Sequence, residues 1–226
     1  NGVVKKTCLE AYSRPRTNGV NAITIREDDR VIEVAMTNGD NEIVLANKNG
    51  RAIRFHEGVV REMGRTATGV RGMTLDEDGQ DEVVGMIVIN DAEYENIMVV
   101  SEQGYGKRSD VEEYRITNRG GKGVKCYKIM EKSGCLVGAK ALDEDREIMI
   151  ITTEGILIRM PVAGISVLGR NTTGVKLINL DASKDIKVAS IAKVRDTGNV
   201  ADEAAEGEEN AETVAEETAE SAESEK

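Results

Sequence analysis

Short β-branched apolar runs bounded by Gly, Asn and Asp recur from one end of the chain to the other, at residues 31–36, 43–46, 83–89, 97–100, 136–142, 148–151 and 186–194. No long segment carries the 3.6-residue period of an amphipathic helix, so these runs predict strands. Residues 147–159 read as two strands joined by a tight turn at Gly155. Short helical turns are predicted near 11–12, 57–63 and 111–114.

The runs are ordered by two series of glycine turns. The first series is Gly2, Gly50, Gly104 and Gly155, each followed by basic residues. The second is Gly19, Gly69, Gly123 and Gly174, each followed directly by Val: Val20, Val70, Val124 and Val175. The spacings are 48, 54 and 51 residues in the first series and 50, 54 and 51 in the second. Two landmarks that drift together mark a tandem repeat, and a strand-built repeat of this period predicts an all-β, propeller-like array. The expected units are about 1–48, 49–102, 103–153 and 154–199, followed by a tail at 200–226. After each second turn the fourth and sixth residues are apolar (Ile23/Ile25, Met73/Leu75, Tyr127/Ile129, Ile178/Leu180) around a polar one, the alternation of a half-buried strand. A strand precedes the first turn in the later units and is missing before Asn1, and there is no initiator Met. The chain is therefore expected to be a fragment cut inside a hairpin.

Composition refines this picture. Aromatic residues make up 3% of the chain and Trp is absent, so the core must be aliphatic. The net charge of −11 is not spread evenly: the tail holds eleven acidic residues and one Lys, which leaves 29 basic against 30 acidic residues in the body. The tail cannot bury enough apolar area to offset its ordering entropy and is expected to be disordered. Its charge, beside a basic rim, could compete with an anionic ligand. Three cysteines, Cys8, Cys126 and Cys135, without C-x-x-C spacing fit a reducing cytosol rather than a disulfide or zinc framework. His56 is the only histidine, and no stretch has the length of a membrane span. No catalytic constellation or metal site emerges: Gly120-Gly-Lys-Gly123 lacks the phosphate-loop spacing.

The chemistry of the chain lies in its basic turns. Lys5 and Lys6, Arg51 and Arg54, Lys107 and Arg108, and Arg159 follow the first turns. The loops before the second turns add Arg14, Arg16, Arg65, Arg119, Lys122 and Arg170, and the positions after them add Arg71, Lys125 and Lys176. Acidic residues fall mainly in other loops. Small Gly and Thr residues let a phosphate backbone approach, and Arg and Lys neutralise it. With no interleaved aromatics, duplex phosphates are a better target than stacked single strands.

Several of these segments resemble one known family. Asn1-Gly-Val-Val-Lys-Lys-Thr7, Val59-Val-Arg-Glu-Met-Gly-Arg-Thr-Ala-Thr-Gly-Val-Arg-Gly72, Gln103-Gly-Tyr-Gly-Lys-Arg108 and Ile165-Ser-Val-Leu-Gly-Arg-Asn-Thr-Thr-Gly-Val175 resemble, in order, the C-terminal domain of the DNA gyrase A protein. The resemblance implies a β-pinwheel of four-stranded blades that wraps double-stranded DNA on a basic perimeter. The parent is an ATP-dependent type IIA topoisomerase that introduces negative supercoils, a heterotetramer of gyrase A and gyrase B proteins in the bacterial cytoplasm. ATP and Mg2+ would serve that complex and not this chain. The chain would hold the last four blades and the acidic tail. The family's hallmark, Q-R-R-G-G-K-G, belongs to its first blade; Thr117–Gly123 here is a related sequence, not that box. The rival readings are the A protein of topoisomerase IV, which decatenates, and a propeller that binds only proteins.

Overall fold

The computed structural model describes residues 1–77, 79–90, 96–181 and 184–194. The tail, its expected competition with an anionic ligand, and the unit boundary at 199 lie outside the described residues.

The described residues form thirteen short strands: β1 (Val3–Val4), β2 (Glu42–Asn47), β3 (Arg51–His56), β4 (Val70–Arg71), β5 (Val83–Ile89), β6 (Asn96–Ser101), β7 (Tyr105–Asp110), β8 (Val124–Lys125), β9 (Leu136–Ala141), β10 (Glu147–Thr152), β11 (Leu157–Pro161), β12 (Val175–Lys176) and β13 (Val188–Lys193). Three hairpins, β2–β3, β6–β7 and β10–β11, carry the first turns. In β2–β3 the left-handed Gly50 (φ +75°) closes the loop, and the Asn47 carboxamide accepts the Arg51 amide at 2.7 Å. Three-residue 3-10 turns at Glu57–Val59, Val111–Glu113 and Val162–Gly164 follow β3, β7 and β11, and a four-residue one, Leu9–Tyr12, follows β1.

All strand pairs within the sheets are antiparallel, and the strand orders are β5-β2-β3-β8, β9-β6-β7-β12, β13-β10-β11 and β1-β4. The outermost strand of each of the two four-stranded sheets comes from the following unit. β8 pairs with β3 (Arg51↔Lys125), β12 with β7 (Tyr105↔Lys176), and β4 with β1 (Val3↔Arg71). The sheets are thereby laced together along the chain. The lacing recurs in the backbone: the carbonyls of Gly2, Gly50 and Gly104 each accept two amides of the next unit, from Gly72 and Met73, Cys126 and Tyr127, and Leu177 and Ile178.

The same close approach explains the second-turn glycines. A Cβ on Gly123 would stand 2.2 Å from the Ala52 carbonyl oxygen, and one on Gly174 would stand 2.4 Å from that of Gly106. Nothing lies within 4 Å of a Cβ placed on the corresponding Gly19.

Side chains of both parities on β2 and β6 are apolar because their sheets are covered on both faces, whereas β10 buries only alternate residues, Ile148, Ile150 and Thr152. Ile43 and Leu45 pack with Ile53, Phe55, Val60 and Met73 on one side of β2, while Val44 and Ala46 meet Ile97 and Val99 of the next sheet on the other. Met98 and Val100 in turn face Ile148, Ile150 and Val162. Burial of such aliphatic side chains stabilises a fold by about 1.5–3 kcal/mol each.

Two expectations are corrected. Residues 31–36 form no strand, and Val34 and Met36 are 84% and 69% exposed. The equivalent strands β5, β9 and β13 each pair with the hairpin strand that precedes a first turn, and among the described residues none pairs with 31–36 in this way. After the second turns only two residues enter a sheet. The fourth position then remains core, with Met73, Tyr127 and Ile178 buried, but Ile25 and Ile129 at the sixth are exposed.

Candidate nucleic-acid interface

Three of the four cations that stand four residues after the first turns reach the next unit. Lys6 Nζ donates to the Glu57 carbonyl at 3.1 Å. Arg54 donates to the carbonyls of Val111 (2.9 Å) and Tyr114 (3.2 Å), and Arg108 Nε to that of Ile165 (2.8 Å). In each case the acceptor belongs to the next unit, in or just after the 3-10 turn that follows its hairpin. Arg54 also binds Glu42, its diagonal neighbour across the hairpin, while Arg108 Nη1 lies 2.9 Å from Glu144 without hydrogen-bond alignment. Among the described residues Arg159 pairs with Glu147 alone, and it stays exposed.

Arg54, Lys107 and Arg108 are 8%, 0% and 3% exposed, so the expectation that they project from a rim is corrected. Main-chain oxygens need donors, and an edge cation within reach of them is drawn inward. Lys107 Nζ donates to Gly169 O at 2.7 Å and to Arg170 O, and Lys5, at the same position of the first unit, donates to Arg65 O and Ala22 O. Burial, offset in part by Cys126 and Glu113, lowers the Lys107 ammonium to about 8. Burial likewise lowers Lys5, with help from the Arg65 charge.

The loops before the second turns join edge to edge. Arg119 donates to Arg71 O (2.9 Å) and Val59 O (3.1 Å), and Arg170 to Lys125 O. Thr74 binds the carbonyls of Gly120 and Gly121, and Thr173 that of Lys128. Arg65, Arg119 and Arg170 are thus half-buried. What remains outward is a line of cations on the outermost strands and their loops. Arg71, Lys125 and Lys176 are exposed at one register position of β4, β8 and β12, with Lys122 beside Lys125 and the half-buried Arg51 behind it. Lys122 stands 3.7 Å from Asp76, a loose surface pair. Arg14 and Arg16 are exposed in the first unit's loop. Residues 115 and 128 were not singled out in the sequence: Arg115 lines a cleft with Thr117, Asn118 and Lys122, and Lys128 is exposed. Only for Lys128 was there a signal, its place five residues after a second-turn glycine.

Glu57 was equally hidden in the sequence. Its buried carboxylate accepts the amides of Gly39 and Asn41 at 2.9 Å and the Thr37 hydroxyl at 2.8 Å, with Lys6 Nζ at 3.7 Å. Burial pushes this carboxyl up, but the Asn41, Thr37 and Gly39 hydrogen bonds and the Lys6 charge outweigh it, and Glu57 titrates below the usual range. A carboxylate lowered by folding contributes stability above its unfolded pKa of about 4.3, lost as pH falls through the folded value. Glu57→Gln is expected to cost about 1.5–3 kcal/mol at neutral pH. In thermal melts, the gap from the unaltered chain should close as pH falls below about 4.

A family model described as the DNA gyrase C-terminal domain, beta-propeller, matches residues 1–38, 41–90, 95–141 and 146–185. The chain belongs to this family. The DNA gyrase A protein of Staphylococcus aureus is 43% identical over 215 residues, 95% of this chain and 24% of that protein. The chain thus spans about a quarter of the length of the curated relatives it matches. A solved structure of a DNA gyrase A C-terminal domain superposes with a TM-score of 0.70 at 29% identity, over 79% of this chain and 59% of that one. The crystal structure of the C-terminal domain of a DNA topoisomerase IV superposes with a TM-score of 0.78 at 29% identity, over 86% of this chain and 59% of that one. The gyrase C-terminal-domain fold accounts for the laced sheets, and the cation line follows their outer edges.

Proposed function

We propose that this chain binds duplex DNA along the outer edges of its sheets, as the DNA-wrapping part of a gyrase-type topoisomerase. The observation that carries the reading is the repetition of Arg71, Lys125 and Lys176 at one register on successive edge strands. Cations repeated in this way meet a polyanion of regular charge spacing, whereas scattered solvated charge would not share a register. Arg14, Arg16, Arg51 and Lys122 extend the line, and Arg65, Arg119, Arg159 and Arg170 contribute where their other bonds leave them free. Contacts of this kind neutralise phosphates and read little sequence.

The parent would use ATP and Mg2+ to pass one DNA segment through another, with the rest of the gyrase A protein and the gyrase B protein as partners in the bacterial cytoplasm. Gyrase-named relatives at 43% identity favour supercoiling over the decatenation of topoisomerase IV. Duplex affinity measured against salt tests the reading. Each neutralised phosphate should add about 0.9 to the negative log–log slope. Affinity that is absent at low salt would instead favour a propeller that binds only proteins.

A further inference from the structure

The loop between Gly169 and Gly174 differs from its neighbours in what stands behind and in front of it. Behind it lies Lys107, without solvent exposure, drawing the carbonyls of Gly169 and Arg170 inward. In a trans peptide the C=O and the following N–H point in opposite directions. Two inward carbonyls therefore aim the amides of Arg170 and Asn171 outward. The Arg170 amide is not left to water: it donates to Oε2 of the exposed Glu113 at 2.7 Å. Arg170 Nε, shielded from solvent in the same loop, has no hydrogen-bond partner.

Glu113 ends the 3-10 turn of the third unit, nine residues after Gly104. The equivalent positions in the other units are Ala11, Val59 and Gly164, so the carboxylate is particular to this junction. The lysine is not universal either. Lys5 plays the part of Lys107 behind Arg65, but Ile53 and Ile158 replace it in the second and fourth units. Where Ile53 lies beneath Gly121, the lysine is instead in the loop itself, as the exposed Lys122.

We propose that the 169–174 loop is an anion cradle for one DNA phosphate, that Lys107 is the positioning residue that turns its amides outward, and that Glu113 occupies the cradle until a phosphate displaces it. This rests on the DNA-binding reading above. A carboxylate and a phosphate oxygen are interchangeable acceptors for an amide, and the phosphate brings the greater charge. Lys107 acts from behind and touches no phosphate.

The test is a mutant cycle read by binding of a short duplex at about 0.1 M salt. Glu113→Gln is expected to tighten binding about tenfold, the scale of one charge-assisted hydrogen bond released from competition. Lys107→Met is expected to weaken binding, and in that background Glu113→Gln should bring no gain, because the amides no longer face outward. Glu113→Gln without effect overturns the proposal. An equal gain in both backgrounds also overturns it, since that is what a long-range charge effect alone produces. If Lys107→Met does not fold, or if the unaltered chain binds no duplex, inorganic phosphate titrated into Glu113→Gln decides. Shifts of the Arg170 and Asn171 amide resonances support the cradle even where the DNA reading has failed, and unmoved amides overturn it.

Discussion

Arg54→Met is expected to cost the fold about 3–5 kcal/mol, the scale of a buried ion pair that loses one partner. The guanidinium holds the carbonyls of Val111 and Tyr114 and the carboxylate of Glu42, and it is a buried tie between the second unit and the third. Methionine of similar reach fills the space but takes the donor from the Tyr114 carbonyl and the Glu42 carboxylate, while the Val111 carbonyl keeps the Tyr114 amide. Arg159→Met is the matched control. It occupies the same place in its unit and pairs with the equivalent acid, Glu147, but both are solvated, and its loss should cost less than about 1 kcal/mol. Urea midpoints of the two variants at unchanged m-value give the comparison. Equal losses would mean that the inter-unit clamp contributes nothing beyond a surface pair.

Changing Arg71, Lys122, Lys125 and Lys176 together to Ala is expected to flatten the salt dependence of duplex binding by about 3.6, at 0.9 per phosphate. That corresponds to a loss of roughly three orders of magnitude in affinity near 0.1 M salt. These side chains are exposed and contribute little to the sheets, so the variant should keep its melting temperature. Variants of Arg54 and Arg108 should show the opposite pattern, with stability lost and the slope kept wherever they remain folded. An unchanged slope in the fourfold variant would remove the outer edges from the DNA path.

The sorting of the cations is where sequence and structure part. Both classes follow glycine turns at regular spacing, and a basic residue near a turn reads as solvated. Glu42 and Glu147, each eight residues before a first turn, hint that the cation four residues after it has a local partner, but the first and third units lack that acid. The carbonyls that draw Arg54 and Arg108 inward lie 57 to 60 residues further along the chain, and no periodicity in composition reveals them. Residues 31–36 fail for a related reason. Their pattern is that of β5 and β9, yet a strand exists only where a second strand completes its ladder.

The sequence by itself determined the tandem period, the hairpins at Gly50, Gly104 and Gly155, the aliphatic core and the family, because these rest on local backbone chemistry and on alternation along single strands. Only the tertiary structure decided that the second, third and fourth units each give an outer strand to the unit before, and that nine of the sixteen expected binding cations serve as inter-unit ties or stand half-buried. The physical reason is that a charge takes its role from whatever desolvates or hydrogen-bonds it, and here those groups belong to the neighbouring unit.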